Sequence, residues 1–197
     1  TKWQANTFPH PFREKISVIH EGIDTNFLIP NNKVIISLED GIRLSKSDEI
    51  ITFVNRNLER LRGFDTFMRA LPYVQENNQE VRVLIVGDNE GGYGGGHPSG
   101  RILKDVLLDE LGSKLDLSRI HFLGRIPHPK LISLLQLSSV HVYLSYPFVL
   151  GWSLLEAMAC GCCIVGSNNM PVSEVIKNNV EGILVAMHDH TELGHRI

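Results

Sequence analysis

The pattern that most constrains this chain is an alternation that starts at residue 33, where short β-branched runs take turns with longer amphipathic stretches. The runs cover residues 34–36, 50–54, 81–86, 120–123, 140–144, 163–165 and 183–185. They are short and β-branched and mostly end in Gly, Asn or Ser, the character of buried parallel strands. Between them, apolar residues recur at helical spacing: Phe64, Phe67, Met68 and Leu71, then Ile102, Val106, Leu107 and Leu111. Leu131, Leu134 and Leu135, and later Leu154, Leu155 and Met158, continue the theme. The alternation predicts an α/β fold, a doubly wound and mainly parallel sheet (Rossmann-like) of about five or six strands. The first pair of runs, within 33–54, is joined through Asp40-Gly41 and reads as a hairpin. Residues 1–32 carry Pro9, Pro11, Pro30, Asn31 and Asn32 with one short apolar alternation at 16–19. They read as an interdomain linker and the remnant of a preceding domain, which leaves 33–197 as the domain proper. The chain opens without Met and stops at Ile197 in mid-pattern, as a piece of a longer protein would.

With 197 residues, the chain is long enough to bury roughly 70% of its unfolded surface without a disulfide or metal staple. Lys plus Arg number 19 against 22 Asp plus Glu, a net charge of −3. That balance argues against binding nucleic acid or an anionic membrane through bulk charge. The cysteines are Cys160, Cys162 and Cys163, too close together for an internal disulfide framework, and this favours a reducing compartment. No second ligand pair accompanies them, so packing is the expected role and no metal site is assigned. No apolar run is long enough to span a membrane, and Thr1-Lys2-Trp3-Gln4 lacks the core of a signal peptide.

In doubly wound sheets, ligands bind beyond the carboxyl ends of the strands. That directs attention to the segments 55–63, 87–100, 124–129, 145–151 and 166–171. The glycine-rich 87–100 segment could cradle a phosphate, but it has neither the dinucleotide fingerprint nor a Walker lysine, and it reads instead as a mobile loop beside the cleft. Arg56 leaves from a strand end and Arg62 precedes a helix. Two guanidiniums so placed can clamp a diphosphate, although a solvated charged turn has the same spacing. A third segment runs from Ser145 through Pro147 and Gly151 into a helix. Its start offers backbone N–H groups and a positive dipole end. Glu156 lies one turn in, among Leu154, Leu155, Ala157 and Met158. It is either the exposed stripe of that helix or a ligand for sugar hydroxyls.

Taken in order, these pieces resemble the C-terminal half of family 4 glycosyltransferases. The residues are Glu156-Ala-Met-Ala-Cys-Gly161, Ile164-Val165-Gly-Ser167, Pro171-Val-Ser-Glu174 and Glu181-Gly182-Ile-Leu-Val185. Upstream, Val18-Ile-His-Glu-Gly-Ile-Asp24, Arg56 with Arg62-Gly63, Val83-Leu-Ile-Val-Gly87 and Ile120-His-Phe-Leu-Gly124-Arg125 fit in register. The resemblance covers residues 16–190. It implies one half of a two-domain GT-B enzyme that transfers a hexose, with retention and without a metal ion, from a nucleoside-diphosphate sugar to an unidentified acceptor.

The resemblance also assigns roles. Arg56 and Arg62 would hold the diphosphate and stabilise the charge of the leaving group. Arg62 stands where the family usually has Lys. Gly124, Arg125 and Ile126 would line the base, and Glu156 would bind the ribose. The first glutamate of the family's Glu-x7-Glu element is absent, with Phe148 in its place. The backbone N–H groups of Val149, Leu150 and Gly151 would then meet the phosphate or sugar. The loop 146–153 resembles that of a bacterial subgroup. The implied partners are the nucleotide-sugar donor and the protein's own N-terminal acceptor domain, with no cofactor, no nucleic acid and no membrane segment in this part. The implied location is the cytoplasm, with the whole enzyme peripheral at the inner membrane, and alone this half would be inactive. A catalytically silent nucleotide-sugar-binding module is the alternative that Phe148 raises. A flavodoxin-like receiver is disfavoured, because only Ser37-Leu38-Glu39-Asp40 offers acidic residues near the first strand. A GT-B sugar epimerase is disfavoured by the Glu156-Ala-Met-Ala context.

Overall fold

The structure is a computed structural model that describes residues 1–89, 92–93, 97–148 and 150–197. Two short helices, α1 (Lys2–Thr7) and α2 (His10–Arg13), precede a two-stranded hairpin of β1 (Ile35–Ser37) and β2 (Arg43–Ser45). There follow β3 (Ile50–Asn57), α3 (Phe64–Asn77), β4 (Arg82–Asp88), α4 (Leu103–Leu111), β5 (Ile120–Phe122) and α5 (His128–Leu137). The chain continues through β6 (Val140–Tyr143), α6 (Trp152–Ala159), β7 (Cys163–Ser167), α7 (Met170–Ser173), β8 (Ile183–Val185) and α8 (His190–Arg196). The six long-range strands form one sheet in the order β5-β4-β3-β6-β7-β8, with every pairing parallel. Leaving β3, successive strands are added first on one side through β4 and β5. The chain then returns to β3 and adds β6, β7 and β8 on the other. This is the Rossmann order, with its reversal between β3 and β6.

The central strand shows why the pattern folds this way. Residues 50–54 are buried and alternate between two cores. Ile50 and Val54 join Leu134, Leu135, Leu154 and Ile164, beneath α5 and α6. Ile51 and Phe53 face Phe64, Phe67, Leu71 and Leu107, beneath α3 and α4. Phe53 stacks on Phe67 at 4.5 Å between ring centroids. Each such large apolar side chain removed from water contributes roughly 1.5–3 kcal/mol.

The hairpin differs from expectation. Residues 35–37 pair with Arg43–Ser45 rather than with the 50–54 run, which lies in the main sheet. Arg43-Leu44-Ser45 has a single apolar residue, so a search for apolar runs passes over it. The turn between is set by Gly41 at φ +86° and by the Leu38 N–H bonded to the Ile42 carbonyl at 2.8 Å. In residues 1–32, α1 begins with a capping box of Thr1 and Gln4, too short to register as periodicity. The Glu174 carboxylate accepts from the backbone N–H groups of Lys2 and Trp3 at 2.8 and 2.9 Å. It also meets His20 Nε2 at 3.1 Å, tying this segment to the domain.

Two of the three cysteines are packed as expected. Cys162 donates Sγ–H to the Leu135 carbonyl at 3.0 Å, and burial pushes its thiol up to about 12. Cys160 is pushed up to about 11, again chiefly by burial, whereas Cys163 is exposed.

Beneath the sheet a chain of polar groups has a fixed direction. Ser138 Oγ donates to the Val140 carbonyl at 2.9 Å, which leaves it to accept from Thr52 Oγ at 2.8 Å. Thr52 must then accept from His141 Nδ1–H at 2.9 Å. His141 is therefore the neutral Nδ1–H tautomer, with Nε2 buried and unpartnered among the described residues. Desolvation lowers its pKa from 6.5 to about 3. Below pH 6.5 the unfolded chain takes up a proton that the folded chain refuses, so stability falls as the pH drops toward 3. The slope from this group is at most about 1.4 kcal/mol per pH unit. Thermal melting from pH 7 to 4 should show a shallower decline for His141→Asn than for the natural chain. Parallel declines would refute the assignment.

Candidate functional site

The strand-order reversal opens a cleft of about 680 Å³ beyond the carboxyl ends of β3 and β6. It is lined by Val54–Asn57 of β3, with Glu59, Arg62, Gly92 and Tyr93 on one side. Arg125, His128, Leu131, Tyr143, Gly151–Ser153 and Glu156 complete it.

Arg56 belongs to β3 itself, which runs three residues beyond the apolar run. Val54 pairs with Val86 but Asn57 with Asp88, so one extra residue is accommodated in β3. Such a bulge re-aims the side chains at a strand end. Arg56 is exposed to the cleft and has no hydrogen-bond or ion-pair partner among the described residues.

Arg62 closes the 3₁₀ turn Arg60–Arg62, which Gly63 ends at φ +67°. A Cβ on Gly63 would sit 2.4 Å from Leu144 Cβ, so only glycine lets this turn lie against the end of β6. The approach is fastened by the Tyr146 N–H bonded to the Leu61 carbonyl at 3.0 Å. It brings Arg62 Nη1 to Ser145 Oγ at 3.1 Å. Ser145 is held in turn: its N–H meets Ser167 Oγ at 3.1 Å, and its carbonyl accepts from Ser167 at 3.0 Å and from Asn169 Nδ2 at 2.6 Å. Phe148 lies over the Arg62 guanidinium at 5.1 Å and packs obliquely against Tyr93 at 5.6 Å.

Arg125 follows Gly124, whose φ is +60° and whose carbonyl accepts the Gly87 N–H at 3.0 Å. Its guanidinium pairs with Asp88 at 3.1 Å across the cleft mouth. Gly124 and Ile126 flank Arg125 without lining the cleft, and Ile126 packs on the core instead. Leu150 also packs inward. Gly151 lines the cleft, but its N–H is donated to Tyr143 Oη at 2.7 Å. The wall at the start of α6 is therefore offered by Trp152 and Ser153, and the indole of Trp152 bonds Glu21 of the preceding segment. Val149 lies outside the described residues, as do Glu90, Gly91 and 94–96 of the glycine-rich segment.

Glu156 is buried, 5% exposed, and faces the cleft rather than solvent, which excludes the exposed-stripe reading. Its partner is His128 Nε2, 2.7 Å from Oε1. A carboxylate can only accept, so the imidazole donates. His128 went unnoticed in the sequence; the available signal was its place between Pro127 and Pro129 at the first turn of α5, three residues after Arg125. Glu59, buried beside Gly92, was also missed: a Cβ on Gly92 would stand 2.2 Å from Glu59 Oε2, so the glycine lets the two approach.

The cleft thus brings the cations Arg56 and Arg62 into one space with the buried carboxylates of Glu59 and Glu156. That combination suits a ligand carrying both anionic oxygens and hydroxyls.

Residues 37–197 match the family described as Glycosyl transferases group 1, and residues 1–28 match the Glycosyl transferase family 4 group. The chain belongs to the glycosyl transferase group 1 family. It is 30% identical over 188 residues to a D-inositol 3-phosphate glycosyltransferase of Mycobacterium avium, covering 94% of this chain and 41% of that one. The chain thus spans about two fifths of the length of the curated relatives it matches. Among solved structures, the C-terminal domain of the glycosyl transferase LpcC from Francisella tularensis superposes with a TM-score of 0.69 at 19% identity, covering 88% and 85% of the two chains. HepE of Anabaena, solved with UDP-glucose, gives 0.65 at 20% identity, covering 93% and 47%. The fold is therefore that of a Rossmann-like GT-B half. Among the described residues no helix is long and apolar enough to cross a membrane.

The seat of Gly63 gives a direct test. Gly63→Ala should lower stability by roughly 2 kcal/mol, through the left-handed φ and the clash with Leu144. The shift is read from the urea midpoint. An unchanged midpoint would mean that the turn does not need this approach.

Proposed function

We propose that the cleft binds a nucleoside-diphosphate sugar and that the whole enzyme transfers its hexose, with retention, to an acceptor held by an N-terminal domain beyond this chain. The observation that carries the reading is that Arg56, Arg62 and the buried Glu156 line one and the same cleft. A diphosphate between the guanidiniums and a ribose hydroxyl on Glu156 would use both together. As the bond between the anomeric carbon and the diphosphate oxygen breaks, negative charge grows on the leaving group. Two cations already oriented there stabilise that charge without reorganising. They supply what a divalent ion supplies in other transferases, so the transfer needs no metal. Retention follows from the family 4 resemblance. Of the three residues expected at the base, Arg125 alone lines this ligand path, with Asp88 steadying it. Alone, this half binds the donor and transfers nothing, since the acceptor lies elsewhere.

Titration calorimetry with UDP, GDP, ADP and TDP, with and without magnesium, tests the reading. UDP is the first probe because HepE was solved with it. Saturable binding of one diphosphate, equal in both conditions, is expected. Arg56→Ala should weaken that binding by roughly 1.5–3 kcal/mol, the scale of a charge-assisted hydrogen bond, and leave nucleoside binding nearly unchanged. Equal losses for both ligands would remove the diphosphate clamp from Arg56. Binding that appears only with magnesium would contradict the metal-independent form.

A further inference from the structure

The three arginines of the cleft are held in different ways. Arg125 is neutralised by Asp88, and Arg56 has no partner among the described residues. Arg62 is fixed on two sides, yet only by uncharged groups: Ser145 Oγ at 3.1 Å and the face of the Phe148 ring at 5.1 Å. No carboxylate among the described residues lies within ion-pairing distance of it. Ser145 is itself immobilised by Ser167 and Asn169, and its own hydroxyl donates to the Tyr146 carbonyl at 2.9 Å. Phe148 is braced by Tyr93.

An aromatic face attracts a cation without cancelling its charge, whereas a carboxylate at the same place would pair with it. We propose that Phe148 is a positioning residue for the phosphate clamp: with Ser145 it holds the Arg62 guanidinium ready at the cleft and leaves its positive charge for the ligand. This rests on the donor-binding reading above and extends it to the position where the family resemblance would place a glutamate. It also gives the aromatic substitution a role in the same reaction, in place of a silent site.

The test compares affinities for UDP and UMP by titration calorimetry, or the corresponding pair for whichever base the chain accepts. The variants are Phe148→Leu, Phe148→Trp and Arg62→Ala, with melting midpoints recorded as a check on folding. Phe148 is 41% exposed, so either replacement is accommodated. Phe148→Leu should lose roughly fivefold in diphosphate affinity and under about twofold for the monophosphate, while Phe148→Trp stays within about twofold of the natural chain. Arg62→Ala sets the full loss. A Phe148→Leu protein that keeps the diphosphate preference while Arg62→Ala loses it overturns this inference alone. A Phe148→Trp protein as weak as Phe148→Leu also overturns it, since bulk at that site and not the ring face would then matter. Failure of the natural chain to bind any diphosphate overturns the donor reading itself, and this inference falls with it.

Discussion

At the centre of the sheet, β3 and β6 lie side by side and parallel, yet the chain leaves them toward opposite edges. After β3 it passes to α3 and then β4; after β6 it passes to α6 and then β7. The cleft is the space between these departing segments. The position of Gly63 decides what the cleft contains. With any side chain there, the turn would be pushed off Leu144, and Arg62 would lose its contact with Ser145. The placement of Arg62 therefore depends on one backbone approach at the reversal point.

Polar order around that point serves placement more than net stability. Ser167 and Asn169 from the end of β7 fix Ser145, and Ser145 fixes Arg62. Buried hydroxyls satisfied in this way cost little, and each lost partner would strand another group. In the same cleft, His128 holds Glu156 at 2.7 Å, so a buried carboxylate keeps one orientation. The two are built from different elements: Ser145 and Ser167 at the ends of β6 and β7 hold Arg62, whereas His128 at the start of α5 holds Glu156 of α6. A site assembled on strand ends is more exact than one on loops alone.

Much of the fold was legible because burial on both faces leaves a plain mark. The strands 50–54, 81–86 and 140–144 are apolar apart from Thr52, Arg82 and His141, and the helices after them carry the matching stripe. The hairpin partner Arg43–Ser45 was not, because a strand that buries only Leu44 resembles a loop. The bulge that brings Arg56 into β3 was hidden for a related reason: Asn55, Arg56 and Asn57 have poor strand propensity, and pairing with β4 overrides it. In the site, Arg62 and Glu156 stood out by type and position. His128 and Ser145 did not, since their roles come from contacts across 28 and 83 residues that no local spacing encodes. Gly151 read as a ready backbone donor; only the packing of Tyr143 shows that its N–H is already taken.

The central claim is that one ligand spans the cleft from Arg62 to Glu156. Backbone amide chemical-shift mapping on titration with the diphosphate that the chain binds tests it most directly. The account expects the perturbed amides to fall in three groups, at the end of β3 through Gly63, at 124–128, and at the first turn of α6. Shifts confined to the open groove around Lys114 and Arg119, before the amino end of β5, would contradict it.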